Sequence, residues 1–370
     1  MAGMFPKFLT SLGCAIGAAS LLAACASTPP PVIPPAPVVV KPVEMPKPLP
    51  PAPRPMPAPV AKTVPAELEA QIQDLWRTFP GRTGIAVLSV DDGWSIEERG
   101  QEYFPQQSVS KLWVAMTVLD QVDSGKLRLD QLVHIGRDDL TLFHQPIRAR
   151  VLANGSVDET VLSLLEQSVT TSDCTANDSL LRTVGGPEAV RAFIARKGLG
   201  AIRFGDGERK LQSKIAGLEW KQEYSIANNF EVARAKLPLD LRRAALNRYL
   251  SDPYDGASPM AVVNALARLS KIELLSPEST RLLLSLLERT SSGPNRLKAG
   301  VPADWRFGHK TGTGQELGGQ ATGYNDIGIM IAPDGRRYAL AVLIGDTTAG
   351  IPARMAMMQG VSRAVANAHR

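Results

Sequence analysis

The sequence predicts a mixed α/β (α+β) domain over residues 66–370, in which one sheet is built from both ends of the chain and the middle is helical. Three observations carry that expectation. Thr83–Val90 (TGIAVLSV) and Trp94–Glu98 are strand candidates joined by Asp91-Asp92-Gly93, a good turn signal. Near the other end, Phe307–Lys310, Tyr324–Ala332 and Arg337–Ile344 also read as strands. Between these two groups the apolar residues fall mostly at helical spacing. That order suggests a sheet closed by the first and last segments around a helical insertion.

The elements follow in order. Ala66–Phe79 is an amphipathic helix, with Leu68, Ile72, Leu75 and Trp76 along one face. After the first two strands, helical patterns cover Ser110–Ser124, Val157–Ser168, Asp173–Val184, Pro187–Arg196 and Pro259–Leu269. Ala353–Ala368 closes the chain as a helix. No internal repeat stands out.

Composition excludes several classes. With 370 residues and 44% hydrophobic content the chain is too apolar for a disordered protein, and three cysteines are too few for a disulfide scaffold. The net charge is +5, but residues 1–24 carry Lys7 alone and residues 25–65 a net +3, leaving about +1 for residues 66–370. A nucleic-acid partner therefore has little support.

Residues 8–24 are an uncharged, mostly apolar run after Lys7, short for a membrane span, with the small-residue ending of a signal peptide. The ending Leu22-Ala23-Ala24-Cys25 resembles the bacterial lipobox, which implies cleavage before Cys25 and diacylglycerol attachment to its sulfur. Ala26 rather than Asp follows, which in that family favours the outer membrane. Residues 1–24 are thus expected to be a lipoprotein signal peptide. Residues 25–65 would be a lipidated tether, since Pro29–Pro65 holds 16 prolines and favours extended polyproline II. After processing, Cys174 is the one remaining thiol.

Three short motifs bear on chemistry. Ser108-Val109-Ser110-Lys111 stands where a helix starts, so the hydroxyl and the amine three residues on share a face and can exchange a proton. Ser172-Asp173-Cys174 opens another helix; Ser and Asp there are also ordinary caps. Lys310-Thr311-Gly312, within HKTGTG, sits on a strand, where Lys can neutralise a substrate carboxylate, Thr can donate a hydrogen bond and Gly admits a close approach. Each is weak alone; the three in this order and at these distances are a strong signal.

Together they resemble the class A serine β-lactamases, within the wider penicillin-recognising serine hydrolases. The likeness runs from about residue 66 to 370 and includes FPQQSVSKLW, TSDCTANDSLL with GGPEAVRAFI following, and SPESTRLLLSLLERTSSGPNRLKAGVPADWRFGHKTGTG. It implies an antiparallel sheet of about five strands flanked by helices, plus an all-helical subdomain from the middle of the chain. It also implies Ser108 as the acylated nucleophile, Lys111 as its proton partner and Ser172 as the proton shuttle to the leaving nitrogen. Lys310 and Thr311 would hold the substrate carboxylate beside Gly312, and the backbone N–H groups of Ser108 and Thr313 would form the oxyanion hole. Counting on from Gly185-Gly186-Pro187, Glu208 falls where the family activates the deacylating water, and Gln212 where it has Asn. Arg296, fourteen residues before Lys310, matches an Arg that some members use against the carboxylate. His144 falls at an aromatic position lining the cleft.

Beyond Gln212 and His144, the sequence departs from the family in four further places. Cys174 replaces an Asn whose amide contacts the substrate carbonyl and the motif lysine; a thiol is a weak donor, so acylation of ordinary penicillins is expected to fall or the substrate preference to shift. Asp178 replaces an Asn that steadies the glutamate, and two nearby carboxylates raise one pKa. The Arg two before Glu208 and the Pro after it are missing. Residues 213–257 form an insertion, read either as a lid or as an enlarged loop.

The expectation is therefore a lipid-anchored periplasmic serine β-lactamase-like hydrolase of β-lactam rings, without metal or other cofactor and monomeric by family default. Two alternatives stand beside it: a D-alanyl-D-alanine carboxypeptidase acting on peptidoglycan, and a decayed, cell-wall-tethered binding protein.

Overall fold

In a computed structural model of the chain, the structure describes residues 63–369. The lipobox, Cys25 and nearly all of the proline-rich tether lie outside the described residues. Within them, no helix is long and apolar enough to cross a membrane.

The five strands of the main sheet are numbered in chain order: β1 (Arg82–Ser89), β2 (Ser95–Glu98), β3 (Arg306–Thr313), β4 (Gln320–Ile331) and β5 (Arg337–Thr347). They lie in the order β2-β1-β5-β4-β3, every pair antiparallel. The register Ile85↔Val342 and Ala86↔Ala341 joins the first strand to the last, so both chain ends meet mid-sheet as expected. A two-residue strand, Glu316–Leu317, folds back on the start of β4.

Alternation along β1 sorts its side chains to two faces. Ile85 and Val87 point into a cluster with Leu68 and Ile72 of the opening helix Ala66–Thr78 and Met358, Val361 and Val365 of the closing helix Ile351–Ala368. Ala86 faces the opposite layer, with Val262, Val263 and Leu266 of the helix Pro259–Ser270. Beyond that layer runs the helix Lys111–Asp123, whose residues from Lys111 to Leu119 are all buried. A helix buried on every side over its first nine residues sits inside a domain, and this one passes through the centre of the helical half.

One helix is shorter than its pattern. Of Val157–Ser168, residues 156–160 form a strand paired with Leu132–Gly136, and the α-helix begins only at Val161. Gly155, with φ +81°, ends the helix Ile147–Asn154 and leads the chain into that strand. Thr160 then caps the helix by accepting from the Ser163 N–H at 3.1 Å.

The 213–257 insertion is helical. Glu208–Ile215 runs into it, and Asn229–Lys236 and Leu239–Ser251 follow. Tyr224 and Phe230 pack on Leu142 and Ala216, while Leu246 and Tyr249 pack on Leu211 and Ile215. Its end, Gly256–Ala257, pairs with Phe104–Pro105, just before the Ser-x-x-Lys segment.

Candidate active site

The nucleophile segment is held under backbone tension. Gln107 adopts φ +54°, a left-handed conformation that costs a non-glycine residue free energy and persists only where its surroundings hold it. They do so through three bonds. The Gln107 N–H donates to Asp255 Oδ2 at 2.7 Å, its side-chain amide donates to the Tyr249 hydroxyl at 2.6 Å, and its amide oxygen accepts from Gln212 at 2.9 Å. Tyr249 in turn donates to Asp255 Oδ1 at 2.9 Å. Burial raises the Asp255 pKa to about 6 despite those donors.

From that turn Ser108 projects toward Lys111, whose Nζ donates to Ser108 Oγ at 3.1 Å. Lys111 is fully buried and shared. It also reaches the Ser172 carbonyl at 2.9 Å, Ser172 Oγ at 3.4 Å, Cys174 Sγ at 3.2 Å and Glu208 Oε1 at 3.2 Å. Burial pushes the ammonium pKa down, and the Glu208 carboxylate 3.2 Å away pushes it up. The Cys174 thiol is pushed up to about 12 by burial and by Glu208, so it is a neutral thiol at neutral pH. The resting centre is therefore a Lys111–Glu208 ion pair.

Ser172 sits in the left-handed region, φ +63°, at the end of a π-helical turn over Gln167–Thr171. That kink aims its hydroxyl between two amines: Lys310 Nζ donates to Ser172 Oγ at 2.9 Å. Asp173 caps the helix Cys174–Thr183 through the Ala176 N–H at 2.9 Å and also accepts from the Ile147 N–H at 2.8 Å, so its capping role is real. Lys310 is fully buried, and desolvation followed by the Lys111 charge lowers its pKa to about 7.

β3 brings the third motif against the first. A Cβ on Gly312 would stand 2.3 Å from the Gln106 carbonyl oxygen, so only glycine lets the strand lie this close to the nucleophile turn. Thr311 Oγ1 meets Ser292 Oγ at 2.8 Å. Arg296 is committed to structure: it donates to the carbonyls of Gly312 (2.9 Å) and Asn325 (2.7 Å) and to Thr313 Oγ1 (2.6 Å), and stacks 3.8 Å over Tyr324.

Glu208 begins the helix Glu208–Ile215, and Gln212, one turn on, donates to Glu208 Oε2 at 3.3 Å. Asp178 accepts the Glu208 N–H at 3.1 Å and so touches the backbone of that residue, not its carboxylate. Burial and the Glu208 charge raise Asp178 to about 6, the conflict that two neighbouring acids predict.

These groups surround one cavity of about 480 Å³. Ser108, Ser172, Cys174, Glu208, Gln212, Arg296, Thr311, Thr313 and His144 all line it, and Lys111 and Lys310 stand behind them. His144 reaches the rim with its side chain exposed, while its carbonyl anchors the Cys174 N–H at 2.9 Å. Sequence reasoning missed Gln107, Tyr249, Asp255, Gln315 and Arg234. Gln107 carried no signal because its role lies in its backbone angle; the others act through partners 70 to 150 residues away in the chain.

A family model described as the beta-lactamase enzyme family matches residues 67–369. The extended-spectrum beta-lactamase PER-1 of Pseudomonas aeruginosa is 31% identical over 286 residues, which cover 76% of this chain and 80% of that protein. Among solved structures, a beta-lactamase from Chitinophaga pinensis aligns at 28% identity and TM-score 0.67, covering 81% of this chain and 98% of its own. An ancestral class A beta-lactamase aligns at 32% identity and TM-score 0.64, over 82% of this chain and all of its own.

Proposed function

The chain belongs to the beta-lactamase enzyme family and is a serine β-lactamase-like hydrolase, and we propose that it opens the lactam ring through an acyl-enzyme on Ser108. The observation that carries this reading is the Lys111 ammonium, which lies within 3.2 Å of both Ser108 Oγ and Glu208 Oε1.

Lys111 must lose a proton before it can act as a base, and the Glu208 carboxylate is placed to accept it. The neutral amine then takes the Ser108 proton as Oγ attacks the lactam carbonyl. Backbone N–H groups of Ser108 and Thr313 receive the oxyanion. As the C–N bond breaks, the Ser172 hydroxyl gives its proton to the departing nitrogen and is reprotonated by a neighbouring amine. Lys310 and Thr311 hold the substrate carboxylate. Lys111, having given its proton to Ser172, recovers the one held by Glu208. In the second half the Glu208 carboxylate draws a proton from water as it attacks the ester carbonyl, and that proton passes through Lys111 to Ser108 Oγ as it leaves. Gln212 and the backbone contact from Asp178 orient Glu208 for that step.

Glu208 beside Lys111 favours a lactamase over a peptidase, since the class A resemblance assigns that position to the glutamate that activates the deacylating water, which the transpeptidases lack. The test is intact mass of residues 66–370 followed over time with a penicillin and a cephalosporin. Wild type is expected to show substrate loss with a transient adduct, Ser108→Ala neither, and Glu208→Ala an adduct that forms more slowly but lasts, with deacylation slowed by about 10²–10³-fold. Turnover by Glu208→Ala at the wild-type rate overturns the deacylation route.

The same proposal places the enzyme in the periplasm on a lipid at Cys25, supported by Leu22-Ala23-Ala24-Cys25 and the proline-rich tether. Cys25→Ser moving the protein from the membrane to the soluble fraction supports it; unchanged fractionation refutes it.

A further inference from the structure

The cleft has two chemically distinct ends. At one, Thr311, Ser292, Gly293 and the committed Arg296 surround the place proposed for the ring carboxylate. The other end belongs to the insertion. Arg234, on the helix Asn229–Lys236, lines the cavity there beside Gln315 and Phe143. Phe143 meets Phe230 of the same helix edge-on, with ring centroids 5.4 Å apart, so helix and rim form one wall.

Arg234 is only half-buried, yet its one polar protein contact is a single bond from Nη1 to Gln315 Oε1 at 2.8 Å. Among the described residues no ion pair engages it. Gln315 is itself held by its amide, which donates to Gln212 at 2.9 Å, so it presents a fixed acceptor and orients the guanidinium. Of the nearby acids, Glu316 is paired with Arg354 at 2.9 Å, and Glu231, exposed on the same helix, acts on Arg234 by its charge alone, an effect that burial and Arg242 outweigh. Arg242, on the next helix, lines the adjoining cavity with Arg234 and adds a second positive charge, while burial and that charge both lower the Arg234 pKa. A guanidinium that is partly desolvated, repelled by a like charge and left with unused donors gains from an incoming anion.

We propose that Arg234 is an anion subsite for the acyl side chain of the substrate, making this enzyme selective for β-lactams that carry a second carboxylate on that side chain. The inference rests on the lactamase reading of the same cleft. An interaction made alike in the ground and transition states changes KM more than kcat.

The test compares benzylpenicillin with carbenicillin, its counterpart bearing one additional side-chain carboxylate. In wild type, Arg234→Gln and Arg234→Lys, the quantity read is the ratio of kcat/KM for carbenicillin to that for benzylpenicillin. The ratio is expected to fall about tenfold in Arg234→Gln, chiefly through KM, and to recover largely in Arg234→Lys, which keeps the charge. Wild type alone gives a second reading: raising the salt from 50 to 500 mM should lower the same ratio. A ratio that moves less than twofold with both substitution and salt overturns the anion subsite while the lactamase reading stands. Failure of wild type to turn over either penicillin overturns both.

Discussion

Cys174 Sγ lies 3.2 Å from Lys111 Nζ, in contact with the amine that activates the nucleophile. The thiol is neutral and its hydrogen is a weak donor, so the site lacks the strong side-chain donor that an amide at this position would offer an acylamino carbonyl. Cys174→Asn is expected to raise kcat/KM for benzylpenicillin about three- to tenfold, one ordinary hydrogen bond. Steady-state kinetics on the two proteins decides it, and no gain would mean that the substrate carbonyl is held elsewhere.

Lys310 gives the enzyme a pH signature. Its lowered pKa, about 7, means that Lys310 in the free site is about half charged at pH 7, gains charge below it and loses the rest as the pH rises. KM for a carboxylate-bearing lactam should therefore climb several-fold between pH 6.5 and 8.5. Lys310→Arg should flatten the profile, because a guanidinium stays charged throughout. A KM in wild type that is flat over this range would show that another group holds the carboxylate.

Asp178 bears on stability. Its pKa is raised from 3.8 to about 6 in the folded protein, so the folded state binds a proton more tightly than the unfolded chain. That preference stabilises the fold below pH 4 and is lost as the pH rises to 6, leaving a half-buried carboxylate ionised at neutrality. Asp178→Asn should stabilise the protein by about 1–2 kcal/mol at pH 7.5, a gain that shrinks toward zero by pH 4. Thermal melts across that range test it, and a gain independent of pH would point away from ionisation.

Tyr249 supports the nucleophile from the insertion. Tyr249→Phe leaves the Gln107 amide and one Asp255 oxygen without their shared partner in a buried place. The expected cost is about 1–3 kcal/mol in stability. A several-fold fall in kcat at nearly constant KM should accompany it, because the left-handed Gln107 turn that aims Ser108 loosens. A variant that melts earlier with kcat intact would make Tyr249 a purely structural residue.

Much of this was legible in the chain because local pattern and local structure agreed. Turn chemistry at Asp91-Asp92-Gly93, alternation in β1 and the helical stripe of Leu68 and Ile72 each depend on neighbours in sequence. Val157–Ser168 misled because alternation and helical spacing overlap in a short run, and Gly155 with the Thr160 cap decided it. The three motifs declared their chemistry by residue type. The insertion did not, since the value of Arg234 and Tyr249 comes from partners at Gln315 and Asp255 that only folding supplies. The insertion takes the form of a packed helical wall that touches both the rim and the turn beneath the nucleophile.

The pairing of β1 with β5 also constrains how the molecule is made. Arg82 waits for Asp346 before the sheet can close, and the whole catalytic middle is synthesised in between. Such long-range pairing makes for slow assembly, because the entropy of closing the chain is spent before the contact is gained. During that interval the chain is a translation product with its nucleophile already present and no sheet to seat it. Loss of the closing helix Ile351–Ala368, none of whose residues lines the cleft, would strip Met358, Val361 and Val365 from the layer under β1 and leave the enzyme inactive.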